Sequence, residues 1–402
     1  MIAILKREWK SYFQNITGWL FIAAVLALYG LYFLAYNLRA GYPYVSYTLS
    51  AISFIMLIAV PILTMRSMAE ERHSRTDQLV LTAPVSLGKM IFGKFLAMVG
   101  VFTVAVAVIA VTPLVLAAFG TVPMGENYVA VLGFWLYGCT CIAVGMLASA
   151  LTESQVIAAV VAFAFLFLGY MMNSITGLIG DHLITKVLGA YDLYTPLQSF
   201  MSGCLDLTGV VYFVSVTALC LFLTCQCVQK RRWSMTTKKL TTGMFSVAMI
   251  VVGFTVAVAV NMVVKEMPSS WTAVDATSTK LYSLTDTTKD YVKNLSQDVT
   301  IYVLSSEKSA DSTLAETLQR YEDLSKHLNV VYKDPAKSPN FYQQYTDSAP
   351  SQNSMIVVSD ARSRVVDYSD IYEYSYDYST YSSSVDGYDA EGQLTSALQY
   401  VT

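Results

Sequence analysis

Charge is what this sequence has least of. Only 14% of its 402 residues are Asp, Glu, Lys or Arg, against roughly a quarter in a soluble globular chain. The shortage is uneven. Residues 1–263 carry 15 Lys/Arg and 9 Asp/Glu, whereas residues 264–402 carry 11 and 20. A net charge of −3 thus hides a sparsely charged first part with basic loops and an acidic tail. The tail also lacks cysteine, since Cys139, Cys141, Cys204, Cys220, Cys225 and Cys227 all precede it. That excludes a disulfide framework and a C-x-x-C redox centre there. Cys225 and Cys227 have no second ligand pair nearby and read as small apolar fillers rather than a metal site. His73, His182 and His327 lie too far apart, and in two compartments, for a three-histidine site.

The apolar runs almost lack ionisable side chains. An ion-coupled carrier keeps some of these inside the membrane, so a machine driven by nucleotide hydrolysis is favoured over a secondary transporter. No Ser/His, paired Asp or His-Glu pattern sits in a run either, which disfavours an intramembrane enzyme. Gly88 to Lys94 has the Gly and Lys spacing of a phosphate loop, but Phe95 follows where the loop needs Ser or Thr for Mg²⁺, and no strand precedes it. This chain is therefore expected not to hydrolyse ATP. Lys89 and Lys94 are expected to anchor a helix at the lipid interface.

What the sequence has is long apolar runs, near residues 17–36, 46–64, 95–119, 128–151, 156–175, 209–228 and 243–263. Each reaches the roughly 20 residues that a helix needs to span a bilayer, and their continuity excludes the alternating pattern of a barrel. The first is too long for the core of a cleavable signal. Lys6, Arg7 and Lys10 precede it; Arg66, Arg72, Arg75, Lys89 and Lys94 lie between the second and third runs; Lys230, Arg231, Arg232, Lys238 and Lys239 lie between the sixth and seventh. The opposite loops hold only Arg39 and Lys186. The expected topology is a cell-membrane protein with a cytoplasmic N-terminus and residues after about 264 outside. The fold class is a membrane α-helical bundle followed by an extracytoplasmic α/β domain: six spans over 1–240, a seventh over 241–265, and the outer domain over 266–402.

Between the fifth and sixth spans, Ile179, Leu183, Ile184, Val187, Leu188 and Tyr191 recur at helical spacing. They suit either an amphipathic helix on the outer membrane surface or a helix packed on neighbouring spans. In the tail, Thr285 caps an expected helix to Leu295, and Val299–Leu304 reads as a strand. Leu314, Leu318, Tyr321, Leu324 and Leu328 mark a helix face, and Asn329–Tyr332 reads as a second strand, parallel to the first. Met355–Val358 and Arg364–Val366 flank a turn and form an expected hairpin. Residues 368–391 contain no Lys or Arg and read as a low-complexity loop. The acidic residues Asp367, Asp370, Glu373, Asp377, Asp386 and Asp389 lack the spacing of a calcium loop and suit a solvated surface. A last helix covers Gln393–Val401.

The most informative stretch is the loop between the second and third spans, Met68 to Ser86. Ser74 and Asp77 fit a capping box ahead of Leu79, Val80 and Ala83; Pro84 ends that short helix and Ser86 caps the next. A helix charged at its start and apolar after suits docking into a groove of a soluble partner; the plain alternative is a surface loop joining two spans. The run Glu70-Glu71-Arg72, Thr76-Asp77-Gln78-Leu79, Thr82-Ala83-Pro84-Val85-Ser86 and Gly93-Lys94 resembles the loop of type-2 ABC exporter permeases. The stretch around Ser199-Phe200, Gly203, Asp206, Tyr212-Phe213 and Arg231-Arg232-Trp233 resembles the gliding-motility-type branch of that family. The tail is similar to the auxiliary domain of the gliding-motility-type partner subunit, through Tyr282-Ser-Leu-Thr, Val331-Tyr-Lys-Asp-Pro335 and Gln393-Leu-Thr-Ser-Ala397. One departure is Arg75, where many family loops have Gly.

The resemblance implies a permease subunit that pairs with a second permease protomer, as homodimer or heterodimer, and with two cytoplasmic ATPases that hold the ATP and Mg²⁺. Residues 70–84 would be the coupling helix, with Glu70, Glu71, Arg72, Asp77, Leu79 and Pro84 as the contact residues. It also implies an outer domain incomplete at its C-terminus, facing a cell-envelope partner. Neither a cofactor nor a metal is expected in this chain, nor nucleic acid as a partner. The competing reading is a non-transporting membrane anchor or sensor whose outer domain binds an envelope component.

Overall fold

The computed structural model describes residues 2–74, 86–179, 188–230, 239–265, 267, 272–275, 284–306, 309–359, 361–377 and 382–402. It divides into two compact units, residues 1–267 and 268–402.

The first unit is all helical apart from a three-residue strand at Cys204–Asp206. An amphipathic helix α1 (Ile2–Gln14) breaks at Asn15 and gives way to α2 (Ile16–Phe33), which a π-helical turn carries on to Arg39. Then follow α3 (Val45–Thr64), the short α4 (Arg66–His73), α5 (Leu87–Ile109), α6 (Thr112–Ala117), α7 (Met124–Leu151), α8 (Gln155–Ile179), α9 (Thr195–Met201), α10 (Leu207–Lys230) and α11 (Lys239–Lys265). Among the described residues, seven helical segments are long and apolar enough to cross a membrane: Ile16–Arg39, Val45–His73, Leu87–Ala117, Met124–Leu151, Gln155–Ile179, Leu207–Gln229 and Ala248–Lys265. They agree with the seven expected runs.

Helix α7 is the centre. Its apolar window is 83% buried, against 28% for α2, α8 and α10. Its sequence makes this possible by offering small residues where other helices cross. A Cβ at Gly138 would overlap the Phe102 ring of α5, and one at Gly145 would overlap Thr64 of α3. Close backbone approach of this kind is the usual source of helix packing in lipid, where burial in water supplies no drive. Several polar groups inside the bundle pair across helices. Thr140 Oγ1 lies 3.1 Å from Thr217 Oγ1, and Asn261 Nδ2 donates to Ser215 Oγ at 2.7 Å, joining α11 to α10.

The two ends of the bundle differ. At one end the 40–44 turn is held by amides: Asn37 Nδ2 donates to the carbonyls of Tyr42 (2.8 Å) and Tyr44 (3.1 Å), and Asn127 Oδ1 accepts from Val45 N (2.7 Å). Tyrosines gather there, with Tyr32 stacked on Tyr36 and Tyr42 tilted on Tyr47, as in the aromatic belts of membrane interfaces. The other end carries α1, α4 and the start of α5, with most of the Lys and Arg.

The second unit is a four-stranded sheet with helices packed into one core. Helix α12 (Asp286–Lys293) is capped by Thr285, whose Oγ1 accepts from Thr288 N at 3.4 Å. Strand β1 (Val299–Val303) buries Val299, Ile301 and Val303, the period of two expected of a half-buried strand. Helix α13 (Ser312–Leu324) follows, then β2 (Leu328–Tyr332), β3 (Met355–Val358) and β4 (Ser363–Val366). The order is β2-β1-β3-β4, with β1 and β2 parallel, as expected, and the rest antiparallel. The last helix, α14 (Ala390–Val401), buries Leu394, Ala397 and Leu398 against this core. Asp311 caps α13 by accepting from Leu314 N (2.8 Å) and also accepts from the hydroxyls of Tyr368 and Tyr372 (both 3.2 Å).

Two expectations are corrected. Leu328 does not extend the α13 face: the helix ends at Leu324, Ser325 turns extended, and Leu328 opens β2. Residues 368–391 are not a loop. Tyr372–Asp377 (β5) and Ser382–Tyr388 (β6) pair antiparallel with a bulge at Glu373/Tyr374. Tyrosine favours strands enough to outweigh the polarity of the stretch. Most of the expected helix over 179–191 lies outside the described residues.

Candidate functional site: the charged end of the bundle

Helix α3 carries Pro61, which has no amide hydrogen to donate, and the chain re-forms as α4 after Met65. A new helix start leaves first-turn amides without intrahelical acceptors. Here a side chain from another helix supplies one. Ser149 Oγ of α7 accepts from Met68 N and Ala69 N, each at 3.1 Å, and donates to Met65 O at 3.0 Å. Ser149 is fully buried. One hydroxyl thus fixes α4 to the end of the central helix.

Ion pairs fix the rest. Arg66 holds Glu70 through two bonds, 2.8 and 2.9 Å, and reaches Thr17 Oγ1 of α2 at 3.2 Å. Arg72 pairs with Glu153 in the turn between α7 and α8 at 2.6 Å. Lys94 of α5 is 3% exposed. Its ammonium lies 2.6 Å from Glu71 and 3.7 Å from Glu8 of α1, and donates to Ser67 O at 2.9 Å. Arg7 of α1 closes the group, 2.6 Å from Glu8 and 3.6 Å from Glu71; its bond to Glu8 raises the guanidinium above its ordinary pKa. Two cations and two carboxylates so balance one another around the buried Lys94, which a buried charge requires, with Arg7 at the exposed edge of the group. Burial also raises the Tyr12 hydroxyl on the same face of α1.

Of the six residues read as coupling contacts, Glu70, Glu71 and Arg72 stand on α4, and each is engaged inside the unit. Asp77, Leu79 and Pro84 lie outside the described residues, as does the capping box beyond Ser74. Ser74 itself closes α4, its Oγ donating to Glu70 O at 2.8 Å. Ser86 opens α5 without a side-chain capping bond. Gly88 to Lys94 lies within α5 and is no phosphate loop. Lys94 is not a lipid-interface anchor, as its spacing suggested: it stands seven residues into α5, about 10 Å from the helix start at 1.5 Å per residue, and α1 and α4 enclose it. Sequence reasoning also missed Glu8, Ser149 and Glu153. The signal for Glu8 was there, since it is the only acidic residue before Glu70.

This arrangement offers neither a nucleophile nor a metal-ligand cluster among the described residues. What it does is mechanical. Helix α4 is bonded to α1, α2, α5, α7 and the α7–α8 turn, so a displacement at its end reaches five other segments.

Residues 39–228 match the family model described as "ABC-2 family transporter protein". This segment is similar to the membrane domain of ABC-2 family transporters. The match runs from the end of the first span through the sixth and includes α4 and the loop after it. With the seven apolar helices, the match supports a multi-pass membrane component of an ABC transporter; the family implies a nucleotide-hydrolysing partner and a dimeric arrangement. Residues 278–371 match a second model, "Domain of unknown function (DUF7088)", which covers the second unit from before α12 to β4 and the turn beyond it. No curated protein matches the chain.

Proposed function

We propose that this chain is the permease subunit of an ATP-driven exporter of the gliding-motility type. In this reading a separate ATPase grips the loop 66–94 from the cytoplasm, and the unit after residue 267 faces outward. The observation that carries it is the anchoring of α4 within an ABC-2 domain. A loop that only joined two spans would need no serine from α7 and no buried lysine from α5 to hold its entry. With these bonds, a push from ATPase closure enters α4 as a near-rigid displacement and tilts α5 and α7 together. The ATPase holds ATP and Mg²⁺; this chain supplies the handle and the path.

The test is Leu79→Asp. It should abolish co-purification with the cognate ATPase, encoded nearby, while the chain still inserts and folds. Retained co-purification would overturn the coupling assignment. Glu71→Arg is a less clean probe, because it would set a third cation beside Lys94 and Arg7 and disturb the scaffold itself.

A further inference from the structure

The ion-pair group uses only part of α1. At 100° per residue, three sides of this helix differ. Glu8 and Tyr12 turn toward the bundle and are half-buried. Ile2 and Phe13 lie on an adjoining apolar flank with Trp9, whose ring packs on Gly100 of α5 and on Phe13 at 5.1 Å, and Trp19 of α2 donates to Phe13 O at 3.0 Å. The third side carries Lys6 and Lys10, one turn apart and both exposed. Among the described residues neither makes an ion pair, whereas Arg7 is committed to Glu8 and Glu71.

We propose that the Lys6–Lys10 side of α1 is a docking surface for the headgroups of anionic phospholipids. A helix with an apolar flank and a cationic side, joined to a membrane span by one residue, lies in the headgroup layer. Its flank meets acyl chains while its ammonium groups meet phosphate. A protein partner would need a pocket built around apolar or aromatic anchors; the apolar residues next to Lys6, Ile2 and Phe13, stand on the flank that a helix in the headgroup layer turns toward acyl chains. Bound lipid would hold α1, and through Glu8 and Arg7 it would bias the position of Lys94 and α4. The surface stands whether or not an ATPase grips the loop.

Each lysine close to an anionic surface is worth about a fivefold factor in affinity, so the pair is worth about 25-fold. The full chain in neutral detergent is titrated with short-chain phosphatidylglycerol, phosphatidylcholine and inorganic phosphate, followed by tryptophan emission. The K6Q/K10Q variant should weaken phosphatidylglycerol binding by about that factor, leave phosphatidylcholine binding unchanged and melt at the wild-type temperature. Lys326→Gln, in the outer unit, should change nothing. Equal phosphatidylglycerol binding by K6Q/K10Q and wild type would overturn the proposal. So would binding of inorganic phosphate as tight as that of the lipid. Loss of ATPase co-purification in K6Q/K10Q with lipid binding intact would assign this side to a protein instead. If K6Q/K10Q melts early, Lys6→Arg/Lys10→Arg, which keeps the charge, must restore both melting and binding, or the proposal fails.

Discussion

Replacing Lys94 by methionine keeps the length of the side chain and removes its charge. Glu71 and Glu8, with side chains 21% and 16% exposed, then face each other without the ammonium between them. Removing one partner of a buried ion pair costs about 3–5 kcal/mol, most of it from the charge left behind. Arg7 remains 3.6 Å from Glu71, which places the expected loss at the low end, about 3 kcal/mol. Lys94→Met/Glu71→Gln removes the orphan along with its partner. It should recover about 2 kcal/mol relative to the sum of the single changes, a coupling typical of side chains in one network. The assay is equilibrium unfolding of the full chain in mixed micelles, by titration with SDS and far-ultraviolet circular dichroism. A Lys94→Met chain within about 0.5 kcal/mol of wild type, the scatter of surface substitutions, would refute the reasoning. So would strict additivity in the double variant, since it would mean that Lys94 and Glu71 do not sense each other.

The same titration tests the centre of the bundle. Gly138→Val should cost about 1–3 kcal/mol, because its side chain overlaps Phe102 in a packed interior, whereas Gly30→Val, with open space around it, should cost little. In the second unit, partial burial opposes ionisation of Asp367, but bonds from the amides and hydroxyls of Ser351 and Ser369, 2.7–3.1 Å, outweigh it and hold the carboxyl below its ordinary range. A depressed carboxyl stabilises the fold above its unfolded value, about 4, and loses that contribution as the pH falls through the folded value. The melting-temperature gap between wild type and Asp367→Asn, read by near-ultraviolet circular dichroism, should therefore stay constant from neutral pH to about pH 5. It should close below about pH 4; a gap that widens in acid would refute the assignment.

The spans were legible because lipid leaves the backbone one local solution, and a run of 20 apolar residues states it without tertiary knowledge. The first strand–helix–strand of the tail was legible for a similar reason: Val299, Ile301 and Val303 alternate, while Leu314, Leu318 and Tyr321 recur at helical spacing. What failed was decided by pairing across distance. Tyr372–Asp377 is a strand because Ser382–Tyr388 lies beside it, and polar composition alone conceals that partner. Leu328 continued the helical period of α13 by coincidence, and the extended backbone at Ser325 ends the helix first.

At the charged end, composition revealed where the basic residues are but not which way they turn. Lys89 and Lys94 look alike in sequence, each near the start of one apolar run; only Lys94 is enclosed, because α1 folds back over α5 and brings Glu8 with it. Nor does the sequence show what the expected coupling residues on α4 already bind. Glu70, Glu71 and Arg72 read as contacts for a partner since they are charged and precede an apolar helix, yet each spends its charge on Arg66, Lys94 or Glu153. A charge already paired at 2.6–2.8 Å must lose that bond before it can recruit another partner, so these three suit a stiff mount better than a docking patch. On the proposed coupling, α4 would transmit the push and recognition would fall to the side chains after Ser74; Leu79→Asp is the substitution that would separate the two roles.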